Sequence, residues 1–216
     1  LGITTYQGYG LTECAPLVAG NNDFYMNASA VGLPIPDVEI KIENPNAEGV
    51  GEVIAKGDNI MLGYFNNPEE TAKVMRGGYF HTGDLGYLDE DGFLYLTGRC
   101  KNVIVAQNGK NIYPEELEER LTENDLVEEA LVLGVPDSKG GTAIKAKIYP
   151  CIDKIKDIYQ DKVPSAEEIK AEIAKVVAAI NDKLPTYKKI IITEIVSEAF
   201  EKTTTKKIKR FGNNMA

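Results

Sequence analysis

The sequence predicts an α+β fold, in which a β-rich half, residues 1–99, precedes a smaller α+β domain, residues 102–216. Three observations indicate this division. The first half is rich in glycine, proline and short runs in which apolar and polar residues alternate. After about residue 102, strand-like runs alternate with helical patterns. Residues 98–105 combine an extended segment with a short polar joint, so residues 100–101 are expected to connect two domains.

Alternation and turn residues predict the strands of the first half. Val38, Ile40 and Ile42 alternate with charged residues, and the run Gly51–Gly57 is bounded by glycines. The sequence Asp-Glu-Asp-Gly at residues 89–92 separates two apolar runs, which is typical of a hairpin turn. We expect a small barrel or sandwich.

Helix-start residues are clearest in the second half. Ser165 and Glu168 have capping-box spacing before an apolar stripe, which predicts a helix over residues 166–184. Pro114 suits the first turn of another helix, because the N–H that proline lacks has no partner there. Strand-like runs occupy residues 102–106, 130–135, 143–149 and 190–196, and we expect a compact domain in which three strands or so accompany these two main helices.

Composition excludes some classes of function. The hydrophobic fraction of 43% and the charged fraction of 26% are ordinary for a globular protein. The net charge of −9 argues against a general nucleic-acid binder and against a basic membrane-surface protein. A local basic site for a nucleotide phosphate remains compatible with this charge.

The cysteines predict a cellular location, and the first residue predicts that the chain is part of a longer protein. Cys14, Cys100 and Cys151 are far apart and lack metal-ligand spacing, so we expect reduced thiols in a cytoplasmic protein. Apolar runs such as residues 130–133 are too short to span a bilayer, and no signal peptide is visible. Because the chain begins at Leu1 rather than Met, we expect it to be part of a longer protein.

The first candidate site lies near the N-terminus. Gly8 and Gly10 flank Tyr9, so backbone can approach a ligand closely on both sides of an aromatic ring. Thr12 offers a hydroxyl to a phosphate, and Glu13 offers a hard oxygen to magnesium. Taken alone, a Gly-Tyr-Gly turn is more often simply a loop.

Two further polar residues suit a nucleotide. Asp84, beside a glycine, can accept two hydrogen bonds from a cis-diol such as a ribose, although an Asp that caps a turn is the commoner case. Arg99 presents a fixed fork of donors to ribose or phosphate, and a surface salt bridge is its alternative role. His81 is the only histidine and is interpreted as structural.

Two loops of the second half complete the candidates. Residues 201–210, Glu-Lys-Thr-Thr-Thr-Lys-Lys-Ile-Lys-Arg, form a basic cluster whose ordinary interpretation is a solvated tail. Residues 108–111, Asn-Gly-Lys-Asn, lie between a predicted strand and a predicted helix and need no function of their own.

Taken in order, these motifs resemble those of the AMP-forming acyl-CoA synthetases, members of the adenylate-forming superfamily that includes firefly luciferase and peptide-synthetase adenylation domains. The resemblance covers nearly the whole chain and corresponds to the last third or so of a full-length enzyme. It implies activation of a carboxylate with ATP to an acyl-adenylate, release of pyrophosphate, and acyl transfer to coenzyme A. The amino-acid sequence of residues 101–118 is similar to that of long-chain fatty-acid members of the family.

The resemblance also implies roles for residues of the first half, which would be the end of the large domain. Tyr9 stacks on adenine, Thr12 contacts the α-phosphate and the substrate carboxylate, and Glu13 binds magnesium. Asp84 binds the ribose and Arg99 touches the nucleotide. The other residues assigned to the cofactor site are Gly8, Gly10 and Leu96.

In the second half, the resemblance makes Lys207 the catalytic lysine of adenylation. Lys101 is the hinge about which a mobile small domain, residues 102–216, swings. The Gly109 loop then lines the pantetheine channel of coenzyme A. This chain departs from the family pattern in two places, since Glu201 stands where proline is usual and Lys206 stands where glycine is usual.

The family's phosphate-binding loop, rich in Ser, Thr and Gly and ending in Lys-Gly, has no match in these residues. The chain alone is therefore expected to be inactive without the missing N-terminal portion of the same enzyme. Two alternatives remain: an adenylation domain that loads a carrier protein, and a non-catalytic nucleotide-binding or interaction module.

Overall fold

The computed structural model describes residues 4–137, 140–160, 162–204 and 206–210. The chain folds as two compact units, Leu1–Lys101 and Asn102–Ala216. The predicted α+β class is confirmed. The helices are α1 (Pro68–Val74), α2 (Pro114–Thr122), α3 (Ile152–Ile158) and α4 (Ala166–Asp182). The strands are β1 (Gly8–Gly10), β2 (Leu17–Gly20), β3 (Leu33–Pro34), β4 (Val38–Glu43), β5 (Gly51–Gly57), β6 (Met75–Arg76), β7 (Tyr79–Leu88), β8 (Leu94–Arg99), β9 (Ile104–Val105), β10 (Asn111–Ile112), β11 (Val127–Pro136), β12 (Thr142–Pro150) and β13 (Ile190–Ile195).

The first unit is built around the long strand β7. On one side it pairs with β5, which pairs in turn with β4, and on the other side it pairs with β6 and β8, all antiparallel. The hairpin turn predicted at residues 89–92 is confirmed, since the Asp89 N–H donates to the Phe93 carbonyl at 3.1 Å and the Gly92 N–H to the Asp89 carbonyl at 3.0 Å. This hairpin places Asp84 opposite Arg99 in the β7–β8 register.

A second sheet, β1-β2-β3, carries the Gly-Tyr-Gly segment. Its register shifts between Tyr9 and Gly10, where the Leu11 N–H donates to the Pro16 carbonyl at 2.7 Å. A Cβ at Gly10 would lie 2.0 Å from the Pro16 carbonyl oxygen, so packing within the strand pair requires glycine there. Tyr9 belongs to the buried apolar cluster of this unit, which also contains Val18, Val53, Phe80 and Leu94.

Helix α1 was not predicted in this mostly β half. Asn67 accepts a hydrogen bond from the Glu70 N–H at 3.2 Å, and Pro68 occupies the first turn. Glu69 and Glu70 add negative charge where the helix dipole favours it. The sequence Asn-Pro-Glu-Glu therefore contains the same start signals that predicted α2 at Pro114.

The second unit has a three-stranded sheet in which β12 pairs antiparallel with β11 and parallel with β13. Helices α2 and α4 contribute Leu117, Leu121 and Ile173 to a core that also contains Ile144 and Ile148 from β12. The predicted capping box of α4 is confirmed: the Ser165 side chain accepts from the Glu168 N–H, and the Glu168 carboxylate accepts from the Ser165 N–H.

The predicted strand over residues 102–106 is shorter than expected. A 3-10 turn occupies Cys100–Asn102, and only Ile104–Val105 pairs with β10. The Asn102 side chain donates to Glu115 Oε1 at 2.6 Å, which draws the start of this segment towards α2 rather than into a ladder. Among the described residues, no helix combines the length and the apolar character that a membrane span needs.

Cys14 gives a test of the packing beside β1. It is fully buried, and burial, with a smaller contribution from Glu13, raises the pKa of its thiol to about 11. At pH 8 the reactive thiolate is therefore scarce, and we expect an aromatic disulfide reagent to modify native Cys14 at least ~100-fold more slowly than in urea-unfolded chain. Exposed Cys100 should react in the native chain. Cys14→Ala should remove the slow phase, and native Cys14 reacting as fast as Cys100 would contradict this packing.

Candidate functional site

The carboxylate of Asp84 is the centre of a polar network in the first unit. The Tyr9 hydroxyl donates to Asp84 Oδ2 at 2.7 Å, and Arg99 Nε donates to Asp84 Oδ1 at 2.7 Å. Tyr9 comes from β1, whereas Asp84 and Arg99 are cross-strand partners on β7 and β8. The fold thus brings together three of the predicted nucleotide-site residues, two of which are 75 positions apart.

The backbone around Asp84 fixes the direction of its side chain. The Asp84 N–H donates to Thr82 Oγ1 at 3.0 Å, and that hydroxyl donates to the Val53 carbonyl at 2.7 Å. A carboxylate offers about four lone-pair positions, and Tyr9 and Arg99 use one on each oxygen. Among the described residues, one position on each oxygen therefore remains, which suits a pair of adjacent hydroxyl groups; the side chain itself is 9% exposed.

Tyr9 is more enclosed than its predicted stacking role suggests. The residue is 7% exposed, and its hydroxyl is held by Asp84. Burial first, and the Asp84 charge second, raise the pKa of this phenol, so the hydroxyl stays protonated and acts as a donor. Gly8 is exposed, and a Cβ there would lie 3.1 Å from Leu17 Cδ1. The stacking of Tyr9 on adenine stays a prediction.

Thr12 and Glu13 lie in a 3-10 turn, Thr12–Cys14, that follows β1. Thr12 is exposed. The Tyr64 hydroxyl donates to Glu13 Oε1 at 2.9 Å, while Glu13 Oε2 has no hydrogen bond within the part of the chain that is described. One oxygen is thus held and the other is open. One carboxylate of this kind, together with substrate phosphates, is a common protein contribution to magnesium binding, so Glu13 fits the predicted metal role.

Tyr64 was missed by sequence reasoning. It lies 51 positions from Glu13, in a segment with no motif that points to the site. Burial, followed by its hydrogen bond to Glu13, raises the pKa of the Tyr64 phenol, which keeps its hydroxyl a donor. Its contact orients the Glu13 carboxylate, and only the three-dimensional structure reveals it.

In the part of the chain that the structure describes, Leu96 and Lys101 make no polar contact with this network. Leu96 lies on β8, opposite Gly86, and is 37% exposed, so it offers apolar surface on the strand that carries Arg99. Lys101 is exposed in the 3-10 turn Cys100–Asn102 and is the last residue of the first unit. Its hinge role stays a prediction.

His81, which is itself buried, lies in a separate polar cluster. Its Nδ1 is 3.1 Å from Glu52 Oε2 and 3.4 Å from Glu43 Oε2, and these three side chains have the atoms that a metal ion prefers. The Arg76 guanidinium, however, lies 2.7 Å from the same Nδ1 and 3.6 Å from Glu52. Because Arg76 already supplies the positive charge, these contacts suit a structural histidine.

In the second unit, Gly109 forms a tight turn between β9 and β10. Its φ is +77°, its N–H donates to the Ala106 carbonyl at 2.9 Å, and the Ala106 N–H donates to the Lys110 carbonyl at 2.9 Å. Apart from Gly109 and its two chain neighbours, no atom of the described residues lies within 4 Å of a Cβ built there, so the glycine serves the left-handed backbone rather than a crowded contact. The neighbouring Lys110 ammonium lies 4.9 Å from the centre of the Tyr187 ring.

Lys207 lies in the second part of a small loop, whose described residues 201–204 and 206–209 we call the lysine loop. Lys202 and Ile208 form an antiparallel bridge, and the Thr203 N–H donates to the Lys207 carbonyl at 2.8 Å. Lys206 has φ +62°, a left-handed conformation that a glycine, the usual family residue at this position, could adopt without strain. Lys207 is exposed, and its ammonium has no ion-pair partner among the described residues.

Comparison with known proteins identifies the family. A sequence profile described as AMP-binding enzyme matches residues 1–65, and a profile described as AMP-binding enzyme C-terminal domain matches residues 101–211. The second profile spans more than half of the 216 residues, so the chain belongs to the AMP-binding enzymes.

Curated relatives include CoA ligases for several acids. The chain is 43% identical over 147 residues to a long-chain-fatty-acid–CoA ligase of Bacillus subtilis, covering 65% of this chain and 26% of that protein. It is 40% identical over 146 residues to a 2-succinylbenzoate–CoA ligase of Geobacillus, covering 65% and 30%. A feruloyl-CoA synthase of Amycolatopsis is 38% identical over 156 residues, covering 69% and 32%. The chain therefore spans about a quarter to a third of the length of these relatives.

Solved structures share the fold. An o-succinylbenzoate CoA synthetase from Bacillus subtilis, in complex with its acyl-adenylate intermediate, has a TM-score of 0.76 at 28% identity, covering 96% of this chain and 40% of that one. The same synthetase in complex with ATP and a magnesium ion has a TM-score of 0.72 at 28% identity, covering 94% and 40%. An anthranilate CoA ligase with anthranoyl-AMP has a TM-score of 0.76 at 26% identity, covering 96% and 38%.

Lys206 provides a test of the lysine-loop geometry. A left-handed non-glycine residue costs about 1–2 kcal/mol, and glycine regains part of this through the entropy of the unfolded chain. We expect Lys206→Gly to leave protection of the Thr203 amide from hydrogen exchange unchanged or raised up to about fivefold. Lys206→Val should lower that protection, because a β-branched residue tolerates positive φ poorly.

Thr204→Gly is the matched control, because Thr204 lies in the same loop at an ordinary φ. Glycine there should loosen the loop. Equal effects of Lys206→Gly and Thr204→Gly on the Thr203 amide would show that the left-handed conformation of Lys206 is not a feature of the loop.

Proposed function

We propose that this chain is the C-terminal portion of an AMP-forming acyl-CoA ligase. The enzyme joins a carboxylate to ATP, forming an acyl-adenylate and pyrophosphate, and then transfers the acyl group to coenzyme A. The observation that carries this proposal is the Tyr9–Asp84–Arg99 network, which leaves one acceptor position on each Asp84 oxygen for a diol. The family membership and the relatives solved with ATP or acyl-adenylates support it.

The first unit holds the nucleotide in this proposal. Asp84 accepts hydrogen bonds from the ribose hydroxyls, and Arg99, oriented by Asp84, places its remaining donors beside the nucleotide. Glu13, oriented by Tyr64, offers its open oxygen to magnesium, which would neutralise phosphate charge. Thr12 is exposed beside Glu13 and contacts the α-phosphate and the substrate carboxylate in this proposal. Leu96 supplies apolar contact.

Lys207 supplies the positive charge for the first half-reaction. As the carboxylate attacks the α-phosphorus, negative charge accumulates on the phosphoryl oxygens and the pyrophosphate leaves. An exposed ammonium without an ion-pair partner among the described residues is available to approach that charge. For the second half-reaction, rotation about Lys101 withdraws Lys207 and brings the Gly109 loop towards the pantetheine arm of coenzyme A.

A long-chain fatty acid is the proposed acyl substrate. The first relatives are named long-chain-fatty-acid–CoA ligases, at 43% and 41% identity. Relatives at 40% and 38% identity are named for 2-succinylbenzoate and ferulate, so identity favours the fatty acid only slightly. The amino-acid sequence of residues 101–118, which resembles that of long-chain fatty-acid members, also favours a fatty acid substrate.

We also propose a cytoplasmic location. The three cysteines are unpaired in the structure, as thiols are in a reducing compartment.

Lys207→Ala tests the proposed role in the full-length enzyme. Removing one preorganised stabiliser of transition-state charge should slow adenylation, measured by ATP–pyrophosphate exchange, by roughly 100-fold or more. Thioester formation from supplied acyl-adenylate should be largely spared, because Lys207 is withdrawn during that step. The two half-reactions are measured separately on the same preparation.

Lys206→Ala is the matched control, because it removes the neighbouring charge and leaves Lys207 in place. If Lys206→Ala abolishes pyrophosphate exchange and Lys207→Ala does not, the assignment of the catalytic lysine is displaced by one residue. Equal loss of both half-reactions in Lys207→Ala would count against the proposed rotation.

A further inference from the structure

Two carboxylates of the second unit hold the ends of the lysine loop. At its start, the Phe200 N–H donates to Glu129 Oε2 at 2.8 Å, and the Lys202 ammonium forms an ion pair with Glu129 Oε1. Glu129 lies on β11 and is only 7% exposed. One nearly buried charge thus holds both a backbone N–H and a side chain at the start of the loop.

The other end is tied to helix α2 and to the edge of the sheet. Arg210 Nη2 pairs with Glu118 of α2, and Arg210 Nη1 donates to the Val132 carbonyl at 3.2 Å. Glu118 Oε1 accepts from the Val132 N–H at 2.7 Å. Because β11 is an outer strand of the three-stranded sheet, the Glu118–Arg210 pair satisfies backbone groups of Val132 that would otherwise lack a partner.

Removing a charge from water is unfavourable, so a buried carboxylate needs partners fixed in good geometry. Burial raises the pKa of Glu118 even with Arg210 beside it, which shows that desolvation outweighs the attraction to this guanidinium. Glu129 holds the Phe200 N–H and the Lys202 ammonium, and Glu118 holds the Arg210 guanidinium. Loosening the loop would leave the Glu129 charge buried without these partners and would take the Arg210 charge away from Glu118, which favours one fixed loop position.

We propose that Glu129 and Glu118 are positioning residues that fix the lysine loop and thereby aim Lys207. This inference rests on the proposed function of Lys207 in adenylation. Neither carboxylate touches the substrate. They act through the two ends of the loop, so that an otherwise solvated surface turn presents its lysine in one direction. Misplacing a catalytic group by about 1 Å can reduce the reaction rate by up to about 100-fold. The position of the Lys207 ammonium is therefore tested separately from its charge.

The first experiment follows the loop itself in the 216-residue chain. Glu129→Gln keeps an oxygen that accepts from the Phe200 N–H and removes the charge that pairs with Lys202. We expect amide hydrogen exchange at Thr203, Lys207 and Lys209 to accelerate by roughly tenfold. Lys202→Met removes the other partner of the same ion pair and should accelerate exchange at these amides by a similar factor. It provides the test if Glu129→Gln fails to fold. Amides of β12 should be unchanged.

Glu194→Gln is the matched control. Glu194 lies on β13 of the same sheet and pairs with Lys145 at 2.5 Å, with no contact to the lysine loop among the described residues. It should leave loop exchange unchanged. Unchanged loop exchange in Glu129→Gln and in Lys202→Met, or an equal acceleration in Glu194→Gln, would overturn the proposal.

The second experiment uses the full-length enzyme. Glu129→Gln should lower the kcat of pyrophosphate exchange by roughly tenfold, with the KM for ATP unchanged and with thioester formation from supplied acyl-adenylate spared. A loosened loop with unchanged kcat would overturn the positioning role. If Lys207→Ala itself leaves adenylation intact, the proposed function fails, while the exchange experiment still decides whether the carboxylates fix the loop.

Discussion

The candidate nucleotide site depends on the interactions of the Asp84 carboxylate with Tyr9 and Arg99. The carboxylate accepts the Tyr9 hydroxyl on one oxygen and Arg99 Nε on the other, each at 2.7 Å. Tyr9 comes from the small sheet, and Asp84 and Arg99 come from the larger one, so one carboxylate joins the two sheets of the first unit at the site. Without it, the nearly buried phenol and the guanidinium would lose their shared partner.

Poorly solvated carboxylates with fixed partners are also found in the second unit. Glu129 holds the start of the lysine loop through the Phe200 N–H and the Lys202 ammonium, and Glu118 holds its other end through the Arg210 guanidinium; both carboxylates are largely removed from solvent. In both units a carboxylate in a poorly solvated position has its hydrogen-bonding directions fixed by the fold. Among the described residues, the Lys207 ammonium has no ion-pair partner and Glu13 Oε2 has no hydrogen bond, so both are available to the substrate in the proposed function.

Sequence reasoning succeeded where structure is local. The hairpin at residues 89–92 and the capping box at Ser165 depend on residues a few positions apart, and both are confirmed. Helix α1 was missed although Asn67 and Pro68 carry the same local start signals, because the Gly- and Pro-rich context favoured strands. The contacts of Tyr9 with Asp84 and of Tyr64 with Glu13 join residues 75 and 51 positions apart, and no local pattern predicts them. The residue roles came from the family resemblance.

The most direct test of the central claim is the selectivity of the full-length enzyme for ATP over 3′-deoxy-ATP in the adenylation half-reaction. Because a hydrogen bond to a charged group contributes about 1.5–3 kcal/mol, we expect kcat/KM for ATP to be roughly tenfold to 100-fold higher. In Asp84→Asn this ratio should fall towards one, whereas Asp89→Asn, a carboxylate variant at the nearby hairpin turn, should preserve it. An unchanged ratio in Asp84→Asn would contradict a ribose-binding role for the carboxylate.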